Sequence, residues 1–127
     1  MCEKNACDYH DSGLRIEGFI VPCILYLLKE KPTHGYEIME KLATLDFLDM
    51  IPDPSVVYRH LRNLEDDGKV KYELVQGSGG PARKVYSVTP NGEEYLQMWI
   101  LKIRRRKKML EKFLNTYEKA YPSVQNS

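Results

Sequence analysis

The sequence predicts a mainly α fold interrupted by one small β-hairpin and closed by a long C-terminal helix. Three observations carry that reading: a helical apolar period that recurs in four segments, one pair of alternating strand-like segments around a glycine-rich loop, and a final stretch with no proline between Pro90 and Pro122. With 127 residues, 43% of them hydrophobic, the chain can bury one core and has little room for a second.

Residues 1–14 form a short polar head that contains Cys2, Cys7 and His10 and has no apolar period. From Arg15 to Glu30 the apolar residues Phe19, Ile20, Val21, Ile24, Leu25, Leu27 and Leu28 predict a helix buried on much of its circumference. Pro22 cannot donate to a preceding turn, so the regular helix should start or kink there, and Lys31 and Pro32 end it. A second helix is expected from about Thr33 to Leu45. Thr33 would cap it, with Tyr36, Ile38, Met39 and Leu42 turned to the core.

After the acidic link from Asp46 to Asp53, a third helix starts with Asp53 as N-cap and Pro54 at its first position, and stops at Gly68. Val57, Leu61 and Leu64 recur at i, i+4 and i+7 and should face the core. Ser55, Arg59 and Arg62 then point to the opposite side. Asn63 and Asp66 lie near them, with Tyr58 and His60 on the flanks. Two strands follow, Val70 to Val75 and Lys84 to Val88. The loop QGSGGPAR joins them, with Arg83 and Lys84 at its base. A helix followed by a basic-tipped hairpin is the order of a winged helix-turn-helix, placed here at residues 15–89: one element fills a DNA major groove while the other grips backbone beside it.

Thr89 caps the last helix, with Pro90 at its first position, and the helical pattern runs to about Tyr121, a length of roughly 48 Å. Along it Leu96, Trp99, Ile103, Leu110, Phe113, Tyr117 and Ala120 alternate at spacings of three and four, with Arg106 as the one break. So long a stripe asks for a partner helix, and a second copy of the chain is the expected one. Residues 90–122 are therefore read as a dimerisation helix and 123–127 as a tail.

The net charge of +1 hides an asymmetry: residues 1–53 carry five Lys or Arg against ten Asp or Glu, and residues 54–127 carry fourteen against eight. A polyanion would be steered to the second half. Six cations lie in the seven residues Lys102 to Lys108, and a solvated, steering face is the favoured reading of that run. The longest apolar stretch, Phe19 to Leu28, is about half of a membrane span, so no membrane association is expected. A polar, acidic start without a secretory signal, together with three cysteines that cannot all pair, favours the cytoplasm.

The runs PTHGYEIMEKL, DPSVVYRHLRNLEDDGKV and GSGGPARKVYSVTPNGEEYL resemble the PadR family of transcriptional regulators across roughly Phe19 to Leu96. The matching motifs are His34-Gly35-Tyr36-Glu37, Val57-Tyr58 with Leu61 and Leu64-Glu65, Gly79-Gly80-Pro81 with Arg83-Lys84, and Thr89-Pro90-x-Gly92. One C-terminal helix resembles the short branch of the family. The resemblance implies that the third helix reads operator DNA, the wing touches backbone, and the first and last helices build the dimer. Ser55 and Val56 depart from the glycine and small hydroxyl residue usual after the proline that opens the recognition helix, and the cysteine-bearing head lies outside the shared pattern.

The expected function is a homodimeric, sequence-specific DNA-binding regulator, a repressor on a palindromic operator that an effector releases. The expected contacts to double-stranded DNA are Tyr36, Ser55, Tyr58, Arg59, Arg62, Asn63, Arg83 and Lys84. Leu96, Trp99, Ile103, Leu110, Phe113 and Tyr117 are expected at the dimer seam. Trp99 and Ile103 are also candidates for an effector pocket, since in some short PadR-type regulators aromatic compounds sit between the last helices. Cys2, Cys7, His10 and Cys23 offer the donor count of a tetrahedral zinc site or a thiol redox switch, against a reading as plain reduced thiols. His34 reads as structural, near the start of its helix. The rival class is a winged-helix module that holds a protein partner; no nucleophile and base at a telling spacing point to an enzyme.

Overall fold

The computed structural model describes residues 18–48, 52–77 and 79–122. In chain order these form helix α1 (Ile20–Glu30), a two-residue strand β1 (Thr33–His34), helix α2 (Gly35–Ala43), helix α3 (Pro54–Asp66), strands β2 (Val70–Gln76) and β3 (Ala82–Val88), and helix α4 (Pro90–Ala120). This is the mainly helical winged-helix architecture that the sequence predicts.

Gly18 takes a φ of 74°, a left-handed backbone open to glycine, and its carbonyl accepts the Val21 amide at 2.8 Å. Helix α1 therefore begins at Ile20, two residues ahead of Pro22 rather than at it. A proline in the first turn costs nothing there, because amides of that turn have no partner inside the helix. Seven of the eleven α1 residues are buried: Val21, Pro22, Cys23, Ile24, Leu25, Leu27 and Leu28. Ile24, Leu25 and Leu28 meet Ile38 and Leu42 of α2, Val57, Leu61 and Leu64 of α3, Val70 and Tyr86 of the sheet, and Leu96 and Trp99 of α4 in one core cluster. Truncating such a side chain, as in Leu61→Ala, typically costs about 2–5 kcal/mol.

The start of α2 differs from expectation. Thr33 does not cap the helix; it lies in β1, opposite Tyr86 of β3, with its side chain buried and its hydroxyl donating to Glu37 Oε1 at 2.8 Å. His34 is the N-cap instead, its Nδ1 accepting the Glu37 amide at 3.4 Å. The cause is a competition for Thr33: pairing it with β3 satisfies its backbone and buries its methyl group, so the cap passes to the next residue. At the other end α2 stops at Ala43, short of Leu45, and the Thr44 hydroxyl donates to the Lys41 carbonyl at 2.7 Å.

The sheet is antiparallel with order β1-β3-β2 and a register that runs from Val70 opposite Val88, through Tyr72 opposite Tyr86, to Gln76 opposite Ala82. The hairpin strands are longer than the pattern suggested, by Gln76 at the end of β2 and by Ala82 and Arg83 at the start of β3, so Arg83 lies in the strand with Lys84 rather than in the loop. Because strand side chains alternate, Val70, Tyr72, Tyr86 and Val88 share the face that packs on the helices. Leu74 and Lys84 continue that face past the edge of the core and are exposed.

Helix α4 is anchored where the hairpin ends. The Thr89 amide donates to the Lys69 carbonyl at 3.1 Å, the Thr89 hydroxyl donates to the Gly68 carbonyl at 2.7 Å, and the same oxygen accepts the Gly92 amide at 3.0 Å. Gly92 is buried against this turn. A Cβ there would fall on the Lys69 carbonyl oxygen and lie 2.6 Å from Val88 Cγ2. Backbone cannot yield as a side chain does, so Gly92→Ala should destabilise the protein by about 1–3 kcal/mol, read as a lower midpoint of urea unfolding. A midpoint equal to that of the parent would mean that the turn is free to move.

Candidate nucleic-acid interface

The exposed face of α3 follows from its buried one. Val57, Leu61 and Leu64 are buried, which turns Arg59, Arg62 and Asn63 out to solvent. Among the described residues neither arginine is paired with an acid. Asp53 caps the helix: its Oδ1 accepts both the Ser55 amide at 2.9 Å and the Ser55 hydroxyl at 3.1 Å. Ser55 is exposed, but its hydroxyl hydrogen is already committed to the cap. His60 is half-buried, and burial first, then the charge of Arg59, holds its imidazole below the usual range.

Next to α3, the start of α2 and the wing converge on an open cleft of about 310 Å³ lined by His34, Gly35, Tyr36, Tyr58, Arg83, Lys84 and Tyr86. Tyr36 is 63% and Tyr58 40% exposed, so neither is a core aromatic. Gly35 makes room for Tyr58: a Cβ there would lie 2.6 Å from Tyr58 Cε1 and 2.8 Å from its hydroxyl. Strand β1 pairs His34 with Val85, and Arg83 reaches back to it, with Nη1 3.4 Å from His34 Nε2. Lys84 Nζ stands 4.3 Å over the Tyr72 ring, which in turn leans on Tyr86 with ring centroids 5.9 Å apart. At the back of the cleft the Tyr86 hydroxyl is pushed above its ordinary pKa, by burial first and then by Glu65, Tyr58 and Tyr72, against an opposing pull from Arg62.

The structure thus gathers four sequence-predicted residues, Tyr36, Tyr58, Arg83 and Lys84, into one cleft and leaves Arg59, Arg62, Asn63 and Ser55 on the adjoining helix. Sequence reasoning missed Tyr86 and Tyr72, and assigned His34 to structure alone. The period-two alternation of the hairpin held the signal for both tyrosines.

A family model described as the transcriptional regulator PadR-like family matches residues 24–98. The chain belongs to that family. Solved PadR-type structures agree. A PadR family transcriptional regulator from Eggerthella lenta superposes with a TM-score of 0.71 at 27% identity, covering 87% of this chain and 97% of that one. A PadR-like transcription factor from Bacteroides fragilis gives 0.66 at 25% identity, with 86% and 98% covered. A PadR family regulator from hypervirulent Clostridium difficile gives 0.68 at 26%, with 76% and 99% covered. No curated protein matches the chain significantly. As a PadR-like regulator, the protein acts in transcription by binding DNA.

The α4 stripe divides in two. Leu96 and Trp99 are buried in the chain's own core, Ile103 packs partly against it, and Lys102 Nζ covers the Trp99 ring at 4.4 Å. Leu110, Phe113 and Tyr117 are exposed, with Leu114 and Tyr121 beside them; the Phe113, Tyr117 and Tyr121 rings form a ladder with centroid spacings of 6.5 and 5.1 Å. No described helix is long and apolar enough to cross a membrane.

Of the four candidate metal or redox residues, Cys2, Cys7 and His10 lie outside the described residues. Cys23 is 4% exposed, and among the described residues no group of three or more His, Cys, Asp or Glu is placed to hold a metal. Burial raises the Cys23 thiol from its ordinary 9.0 to about 11. Below pH 9 the thiol is protonated both folded and unfolded, and its share of stability is complete. Between pH 9 and about 11 only the unfolded chain ionises there, so stability is lost as pH rises. Urea midpoints measured at about pH 8 and about pH 10.5 should therefore fall further in the parent than in Cys23→Ala. Equal falls would place the thiol in contact with water.

Proposed function

We propose that this PadR-like regulator is a homodimeric repressor that binds a palindromic operator, with α3 in the major groove and the wing on flanking backbone. The reading is carried by the cleft in which α2, α3 and β3 present Tyr36, Tyr58, Arg83 and Lys84 beside the exposed Arg59 and Arg62. Base edges in the major groove are read by bidentate donors such as arginine, whereas phosphates take any well-placed cation or hydroxyl. Arg59 and Arg62 project from a rigid helix and are assigned to base edges or nearby phosphates. Lys84, on the hairpin, is assigned to phosphate.

The dimer is supported by the far half of α4. Leu110, Phe113, Leu114 and Tyr117 form an apolar strip that none of the described residues covers, beyond the point where the core ends near Ile103. Two such helices packed together would set the distance between two wings, which for half-sites one turn apart must be about 34 Å. An effector that alters this packing would release the operator. Trp99 would line such a pocket only once Lys102 leaves its ring.

Two outcomes follow. Arg59→Ala should cost roughly 1–3 kcal/mol more on a duplex selected by the protein from a random pool than on unrelated DNA, whereas Lys84→Ala should weaken both alike and reduce the slope of log affinity against log salt by about one. Equal losses for Arg59→Ala on both duplexes would remove it from base reading, and an affinity for every duplex alike in the parent would favour the protein-partner class. Replacing Leu110 and Phe113 together by glutamate should yield monomers by molar mass in solution and weaken operator binding, since unpaired charge at an apolar seam is costly. A double variant that stays dimeric would move the interface off the far half of α4.

A further inference from the structure

His34 performs its capping role with one ring nitrogen and leaves the other uncommitted. Nδ1 accepts the Glu37 amide at 3.4 Å. A nitrogen that accepts carries no hydrogen, so the cap assigns the neutral tautomer with its hydrogen on Nε2. Nε2 lies 3.4 Å from Arg83 Nη1, and a guanidinium can only donate. The capping tautomer therefore sets two donors side by side with no acceptor between them. Were Nε2 to accept from Arg83 instead, the hydrogen would have to sit on Nδ1 and the α2 cap would be lost.

The neighbouring groups do not relieve this. Glu37 Oε1 lies 3.8 Å from His34 Nε2, too far for a hydrogen bond, and already accepts the Thr33 hydroxyl; the second carboxylate oxygen faces Lys41 at 3.7 Å. Lys84 of the wing is drawn toward the Tyr72 ring, and Tyr58 of α3 adds a hydroxyl to the cleft wall. Among the side chains that line the cleft, the outward groups besides the Tyr oxygen atoms are donors. The missing component is an anionic acceptor with two oxygens on one atom, open to solvent on its far side.

We infer that His34 Nε2 and Arg83 Nη1 clamp one and the same backbone phosphate of bound duplex DNA, each donating to one non-bridging oxygen. His34 is then a DNA contact as well as a cap, and the two-residue β1 holds it in reach of the wing. The inference rests on the proposed docking of α3 and wing on duplex DNA. No covalent step is involved.

The test uses a duplex that the purified protein selects from a random pool, with single phosphates replaced in turn by uncharged methylphosphonate. His34→Asn and His34→Ser keep an N-cap, because both residues cap well, but their shorter side chains cannot carry a donor out to the position of Nε2. Each should bind about tenfold or more weakly than the parent, as should Arg83→Ala, with the urea midpoint unchanged in the histidine variants. The slope of log affinity against log salt should fall by about 0.9 in Arg83→Ala, and the double variant should fall no further, because one phosphate is shared. In each half-site one methylphosphonate position, the same for all three, should weaken the parent most, His34→Asn and Arg83→Ala less, and the double variant not at all. Parent-like affinity in both histidine variants overturns the clamp, as does sensitivity of the two single variants to different phosphates. A parent that selects no duplex overturns instead the docking on which the clamp rests.

Discussion

Two residue pairs, Thr33 with Tyr86 and His34 with Val85, tie the start of α2 to the wing. Most of what lies on the outer surface depends on them. Without this short antiparallel pairing the wing would be a two-stranded hairpin held to the helices only through Val70, Tyr72, Tyr86 and Val88 at its base, and its cations would have no fixed relation to the start of α2. With it, β3 becomes the central strand of the sheet, hydrogen-bonded on both sides, while its side chains still reach solvent beyond the core. The face that starts with Val70 and Tyr86 inside ends with Leu74 and Lys84 outside, so a single register sets both the packing and the placement of charge.

Much of the fold could be read from sequence because its signals are local. The apolar spacing of Val57, Leu61 and Leu64 orients α3, Asp53 and Pro54 open it, and Gly68, at φ 77°, closes it. Thr89, Pro90 and Gly92 mark the start of α4 in the same way, and the close approach of Gly92 to Lys69 explains why a glycine stands two places past the proline. Strand β1 was not legible. Two residues carry no periodicity, and Thr33 satisfies the local rule for a helix cap equally well; only a partner some fifty positions later decides between the two.

The site was legible as a list of residues more than as an arrangement. Arg59 and Arg62 follow from helix geometry, and Arg83 and Lys84 from composition of the hairpin. What sequence does not reveal is that Tyr58 rests against Gly35, or that Arg83 bends back to His34, because both contacts cross between elements whose relative position is set by the core. The α4 stripe shows the same limit. Its period continues unbroken through Trp99 and Phe113 apart from Arg106, yet one residue is buried at home and the other lies in solvent, a distinction made by where α1, which runs antiparallel to α4, begins beside Trp99 and not by anything in the helix itself.

The Thr89 junction gives α4 a fixed mounting. Its first turn is hydrogen-bonded through one hydroxyl and one amide to the turn that closes α3, and a buried glycine leaves no slack between the two backbones. A helix of 31 residues, roughly 46 Å long, mounted in this way behaves as the arm of a lever with its pivot beside the reading helix. A tilt applied at the free end would be passed through this hydrogen-bonded base to the winged-helix domain, so that a force applied far from the wing would turn the wing.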